Sequence, residues 1–152
     1  MDAAGNFVVV FSDGNLNSGD IYAQRYNAAG VAQGVAVQVN TTTSNTQDWP
    51  AVAMDPNGNF VVTWNSSSQD GSGWGIYARR FNAAGVAQGS EFRVNSSTSG
   101  NQEGASVGMA DDGSFVISFT DYNVNSGDVY FQRYNASGVA QSGNVRANTT
   151  TS

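Results

Sequence analysis

The sequence predicts an all-β protein of three four-stranded antiparallel meander repeats, arranged as β-propeller-like blades, with the first blade lacking its first strand. Three observations carry this. First, one passage occurs three times: Asp2-Ala-Ala-Gly-Asn-Phe-Val-Val-Val-Phe11, Asp55-Pro-Asn-Gly-Asn-Phe-Val-Val-Thr-Trp64 and Ala110-Asp-Asp-Gly-Ser-Phe-Val-Ile-Ser-Phe119. Phe7 and Phe60 are 53 residues apart, and Phe60 and Phe115 are 55 apart, a period that indicates one supersecondary unit copied and stacked. Second, short apolar runs alternate with Gly/Asn/Asp turn signals throughout. Third, only 12% of residues are charged while 39% are hydrophobic, which suits short strands under a hydroxyl and amide surface.

The repeat divides the chain into an incomplete first unit over 1–49, a second over 50–103 and a third over 104–152. In the middle unit, Trp49-Pro-Ala-Val-Ala-Met54 reads as the first strand, with Pro at its start where a missing N–H is tolerated. Asp55-Pro-Asn-Gly58 is a tight turn. Asn59 to Trp64 is a near-continuous apolar run, as expected of a strand buried on both faces. The polar loop Asn65 to Gly75 leads to Ile76-Tyr-Ala-Arg-Arg-Phe81, and after the Asn82-Ala-Ala-Gly85 turn Glu91 to Val94 closes the unit. Transferred to all copies, this predicts strands over 6–11, 20–26, 35–39, 50–54, 59–64, 75–81, 91–94, 104–109, 114–119, 128–134 and 144–147, with no helix longer than two turns. In the third copy Gly104 is expected to stand in place of the proline, and Ala147 in place of Val39 and Val94.

Meanders of four short strands cannot bury both faces alone, so the copies must stack. The small residues of the first strands (Ala51, Val52, Ala53; Ala105, Ser106, Val107, Gly108) favour a radial arrangement in which those strands converge near an axis. A linear stack or a sandwich of the same hairpins is the alternative.

Composition narrows the function. The chain has no lysine, and six arginines stand against twelve acids, giving net charge −6 and a pI near 4.1. Nucleic-acid binding needs cations to displace counterions from phosphates, so that class is excluded, as is attraction to anionic membranes. Apolar runs such as Phe7 to Phe11 are too short to span a bilayer. No charged-then-apolar leader opens the chain. Cysteine and histidine are absent, which removes disulfides, thiolate or imidazole metal sites and the usual nucleophile–base pairs. The remaining acids, Glu91, Glu103 and Asp111-Asp112, read as solvated turn acids rather than a glycosidase pair, which would have to flank one bond. The expectation is that the chain is not an enzyme.

Other residues suggest binding. Asp13, Asn15, Asn17 and Asp20, and likewise Asp121, Asn123, Asn125 and Asp128, place oxygen side chains at alternate positions, as a Ca²⁺ loop does. Glycine falls seventh instead of sixth, however, and the twelfth positions are Gln24 and Gln132, so any Ca²⁺ binding is expected to be weak, and Asx-turn chemistry explains the same residues. No other cofactor is expected. Arg25, Arg80 and Arg133 recur at one position beside Tyr or Phe, fitting an inter-blade salt bridge or an aromatic-stacked spacer, or a carbohydrate or carboxylate contact repeated per blade. Trp74 and Tyr122 are aromatic candidates for glycan pockets between blades. Asn40, Asn65, Asn95, Asn135 and Asn148 lie in Asn-x-Ser/Thr sequons.

The units Gly-Asn-Phe-Val-Val-Thr-Trp64, Asp70-Gly-Ser-Gly-Trp-Gly-Ile-Tyr-Ala-Arg-Arg-Phe81 and Phe92-Arg-Val-Asn95 resemble blade-like repeats of large secreted bacterial surface proteins, which often carry RTX-type calcium-binding or cadherin-like segments. The resemblance implies a propeller-like blade in a secreted or cell-surface multidomain protein. The expected function is a non-catalytic structural or adhesive module of a larger surface or fibrous assembly, with a lectin-like glycan-binding module as the alternative. The expected partners are the chain itself, as a homo-oligomer or filament, or neighbouring repeats of a longer chain, and glycans under the alternative. Eleven strands leave an open edge, so the three units are not expected to close on themselves.

Overall fold

A computed structural model of the chain describes residues 1–14, 19–123 and 127–149. Among them are eleven strands and no helix: β1 (Phe7–Ser12), β2 (Ile21–Tyr26), β3 (Val37–Gln38), β4 (Gln47–Met54), β5 (Phe60–Ser67), β6 (Trp74–Phe81), β7 (Phe92–Arg93), β8 (Gln102–Met109), β9 (Phe115–Asp121), β10 (Asp128–Tyr134) and β11 (Val145–Arg146). They form three antiparallel meander sheets, β1-β2-β3, β4-β5-β6-β7 and β8-β9-β10-β11. The expected all-β, blade-like repeat fold is thus observed, with β1 at the edge of the three-stranded first sheet.

The main departure lies in the first strands. β4 and β8 start at Gln47 and Gln102 instead of 50 and 104, because pairing continues past a bulge: Asp48 faces Asn65, then Ala51 faces Thr63, and Glu103 faces Thr120, then Ser106 faces Ser118. Aligned by these bulges, Gly104 occupies the place of Trp49, and Ala105 that of Pro50. The sequence expectation that Gly104 replaces the proline is therefore corrected by one residue.

Alternate residues of a strand face opposite sides of its sheet, and the sheets stack forward face to rear face. The forward face of the first sheet (Val8, Val10, Ile21, Ala23, Val37, Val39) packs against Phe60, Val62, Trp64, Tyr77 and Phe81 on the rear of the second, with Val52 and Met54 from β4. The forward face of the second (Val61, Ile76, Ala78, Phe92, Val94) packs against Phe115, Ile117, Phe119, Tyr130 and Tyr134 on the rear of the third, with Val107 and Met109 from β8. β5 therefore lies between two cores and is buried from Phe60 to Ser66, whereas β1 and β9 alternate in burial. Every rear face carries two cross-strand aromatic stacks. One set is Phe7–Tyr26, Phe60–Phe81 and Phe115–Tyr134, and the other is Phe11–Tyr22, Trp64–Tyr77 and Phe119–Tyr130.

The connectors are fixed by a repeated asparagine. Asn95 accepts a hydrogen bond from the Ile76 N–H (2.8 Å) through Oδ1, and its Nδ2 donates to Ser97 O, Gln102 Oε1 and Asp70 Oδ2. Asn40 repeats this with Ile21 N–H, Thr42 O and Asp20, and Asn148 with Val129 N–H and Asp128. Each ties the end of its unit back to the preceding long strand, and Asn40 and Asn95 also hold the start of the path into the next unit.

A side chain of the following unit also seals each connector. Glu91 accepts from Thr41 N (2.6 Å), Thr42 N, Thr42 Oγ1 and Gln69 Nε2; Asn144 takes this place for Ser96 N (2.6 Å) and donates to Val94 O. Glu91 is thus a connector cap and not the solvated acid expected. Burial opposes its ionisation, but the hydrogen bonds from Thr41, Thr42 and Gln69 outweigh this and hold its carboxyl below the ordinary glutamate value. A lowered folded-state pKa stabilises the fold above the ordinary carboxylate range, and this stabilisation disappears as pH falls through the folded value. Asp2 and Asp112 are also lowered by turn hydrogen bonds, so Glu91→Gln is expected to remove only part of the acid sensitivity. Melting temperatures at neutral pH and near pH 3, compared between variant and parent, check this: an unchanged difference would show that Glu91 does not contribute.

Candidate functional site

The antiparallel meander puts potential ligand-binding residues at opposite ends of the strands. Trp74 and Arg80 are six residues apart on β6, about 20 Å at strand rise. The arginines lie at the turn end, and the aromatic candidates at the connector end.

At the turn end the arginine row joins the blades. Arg25 Nη1 donates to Ala83 O (2.7 Å) and Arg80 Nη1 to Ala136 O (2.6 Å), so each arginine reaches the Asn-Ala-x-Gly turn of the next sheet. Nη2 donates within the arginine's own sheet, to Gln33 O and Gln88 O. Gly85 (φ 79°) and Gly138 (φ 79°) make the close approach possible, because a Cβ there would fall against the guanidinium of Arg25 or Arg80. Arg25 and Arg80 are therefore inter-blade clamps on carbonyl groups, rather than the salt bridges or ligand contacts weighed from sequence. Arg133, the third of the row, is exposed.

At the connector end, Trp49 and Trp74 stack with ring centroids 6.2 Å apart and planes 22° apart. Trp74 N donates to Asn101 Oδ1, and Tyr122 N to Asn101 O, so Asn101 holds the backbones of both aromatic candidates. Trp49 is 56% exposed and Tyr122 50% exposed. Trp49 sits on the β4 bulge at φ 51°, a left-handed conformation that is strongly disfavoured for a bulky L-residue and costs about 1–3 kcal/mol. The third sheet puts Gly104 at this bulge position with φ 70°. Asp48 fixes the bulge by accepting from Trp49 N (2.7 Å) and Ser12 Oγ (2.9 Å). Across the sheet from Asp48, Asn65 is fully buried with neither amide atom partnered among the described residues. Sequence reading found Trp74 and Tyr122 but missed Trp49. Its signal is the matched Gln47-Asp48 and Gln102-Glu103 pairs, which set Trp49 against a glycine.

The other candidate residues fall as follows. Asn15, Asn17 and Asn125 lie outside the described residues. Asp13 Oδ1 accepts from Asp20 N, Asp20 accepts from Asn40, Asp121 from Gln102 and Asn123 N, and Asp128 from Arg146 and Asn148. These carboxylates serve the fold as Asx turns and connector ties, and the described residues hold no group of three His, Cys, Asp or Glu placed to bind a metal ion. The sequon reading is corrected at Asn40, Asn65 and Asn95, which are 3%, 0% and 2% exposed and cannot present their amides to a glycosylating enzyme in the folded chain. The Asn148 amide is tied to Asp128. Asn135 sits in the surface turn before β11, where Oδ1 accepts from Val139 N.

No family model matches the chain, and no curated protein sequence matches it. Among solved structures it is similar to an endo-arabinase from Bacteroides thetaiotaomicron, with a TM-score of 0.63 at 10% identity, over 98% of this chain and 60% of that one. The chain thus spans about three-fifths of the length of that enzyme. At this identity the likeness concerns the fold. It nevertheless overturns the expectation that the chain is not an enzyme, since a chain of the same architecture is an endo-arabinase. An all-β repeat array therefore gives no argument against catalysis.

Proposed function

We propose that the chain is a glycan-binding, propeller-like repeat module whose ligand lies on the Trp49–Trp74 platform. The observation that carries this is Trp49 itself, an exposed indole held in a strained backbone conformation that the third sheet relieves with glycine. Strain kept at one position while a copy in the same chain avoids it points to use, and a bulge re-aims a side chain. Indole faces stack on the C–H faces of sugar rings, while Asn101 and Asp48 supply polar atoms nearby. The likeness to an enzyme named for a polysaccharide agrees with a saccharide ligand. The acidic, lysine-free surface and the resemblance to secreted bacterial repeats support a place outside the cell, within a larger surface assembly. This favours the lectin-like alternative over a purely structural role.

Two of the three tryptophans form the platform and Trp64 is buried, so intrinsic fluorescence reports occupancy. Titration with oligosaccharides chosen from a glycan array is expected to show saturable quenching. Trp49→Gly and Trp74→Ala are each expected to weaken binding at least tenfold, about 1.4 kcal/mol or more. Trp49→Gly should also leave stability unchanged or raise it by about 1 kcal/mol as the strain is released. An array with no saturable ligand, or binding that survives both substitutions, would refute the proposal.

A further inference from the structure

Apart from Trp49 on β4, the exposed large apolar side chains within the strands lie on the two outer sheet faces. Val9 (43%) and Phe11 (41%) lie on the rear face of the first sheet, and Val116 (38%), Val129 (39%) and Val145 (41%) on the forward face of the third. Their counterparts inside the stack are buried: Val9 and Phe11 correspond to Val62 and Trp64, and Val116 and Val129 to Val61 and Ile76, all 0% exposed. The chain therefore carries both halves of an interface it already makes twice.

The clamp shows the same pairing. Arg25 reaches the turn of the second sheet at Ala83, and Arg80 that of the third at Ala136. Arg133 stands on the free forward face beside an open cleft lined by Val116 and Tyr134. At the other end of the stack, the Asn27-Ala-Ala-Gly30 turn of the first sheet matches the two turns that receive arginines. Among the described residues, Gly30 and its two chain neighbours aside, nothing lies within 4 Å of where a Cβ on Gly30 would sit, which is the space an arginine occupies over Gly85 and Gly138.

From this repeated complementarity we infer that a second copy of the chain docks head to tail, the forward face of its third sheet on the rear face of the first sheet of its neighbour. Val116, Val129 and Val145 then cover Val9 and Phe11, and Arg133 Nη1 takes the Ala28 carbonyl. The joint is the heterologous kind, which leaves a free forward face and a free rear face on every pair that does not close into a ring. It is weaker than the internal interfaces for two visible reasons. Among the described residues the first sheet has no strand equivalent to β4 or β8 to pack at the inner edge. Ala36 also stands where Glu91 and Asn144 cap a connector. Six net negative charges per copy oppose association further, an effect screened at physiological salt. The inference concerns the two outer sheet faces and does not rest on the glycan reading.

Sedimentation of the full chain at physiological salt is expected to show a mass rising with concentration in the micromolar range. Val116→Asp and Phe11→Asp, both at exposed positions and with folding checked by circular dichroism, should each abolish this. An equimolar mixture of the two variants should regain association, but only as pairs, because each retains the face the other has lost. Arg133→Ala should weaken association roughly tenfold, as loss of a charge-assisted hydrogen bond. A chain that stays monomeric to hundreds of micromolar overturns the inference. So does association that neither aspartate disturbs, or a mixture of the variants that fails to pair.

Discussion

Trp64→Ala is expected to lower unfolding stability by about 3–5 kcal/mol, the range for emptying a fully buried aromatic site. Trp64 is 0% exposed in the core between the first two sheets, stacked on Tyr77. Its counterpart on the first sheet, Phe11, stacks on Tyr22 in the same way but is 41% exposed. Phe11→Ala in the monomer should therefore cost about 1 kcal/mol, since far less apolar surface leaves contact with the protein. Paired urea titrations at low concentration, with the two midpoints compared at constant m-value, measure this contrast directly. Equal losses would show that the inter-sheet core is not where the stability resides. Trp64→Phe is expected to be much milder than Trp64→Ala, because the indole N–H already lacks a partner among the described residues and its removal offsets part of the lost packing.

Asn95→Ala is expected to cost about 2–4 kcal/mol, because it orphans several buried groups at once and each buried unpaired partner costs roughly 1–3 kcal/mol. The amide of Ile76, the Ser97 carbonyl and the Gln102 side chain all lose their asparagine partner. Asn95→Asp keeps the acceptor for Ile76 N–H but removes the donors and sets a second carboxylate beside Asp70, now 3.1 Å from the amide nitrogen. Its destabilisation should therefore grow as pH rises through the carboxylate range. Asn148→Ala, at a half-buried position, should cost clearly less. Thermal melts of the three variants at two pH values test the ordering. A harmless Asn95→Ala would mean that the connectors are held by something other than this amide.

Much of the fold was legible because the same local rules operate three times. The turns closed by Gly5, Gly58 and Gly113, the β5 run buried on both faces and the recurrence of the arginines follow from periodicity in the chain. Roles that depend on a neighbouring sheet were harder to read. The repeated Asn-x-Ser/Thr segments suggested sequons, since nothing local shows that Asn40 and Asn95 turn inward to hold a β-strand amide. Glu91 occurs once and resembles a surface acid until the preceding connector is placed against it. Arg25 and Arg80 could be recognised as a structural row, but their carbonyl partners lie 58 and 56 residues away. Trp49 was missed through alignment: pairing the prolines and glycines of the first strands hid the bulge, and the left-handed conformation of an indole leaves no compositional trace.

The polarity of the stacking has a consequence for how such an array grows. Each junction joins a forward face to a rear face, so adding a unit covers one bare face and presents another of the same kind. The exposed apolar area at the two ends stays constant as the number of units rises, while one complete core is gained with every addition. Stability then increases nearly linearly with length, as in one-dimensional repeat arrays, and solubility does not worsen in step. A tandem duplication of this unit would bring together a forward and a rear face that already match, at a junction weaker than the internal ones for want of a β4-type strand and a connector cap.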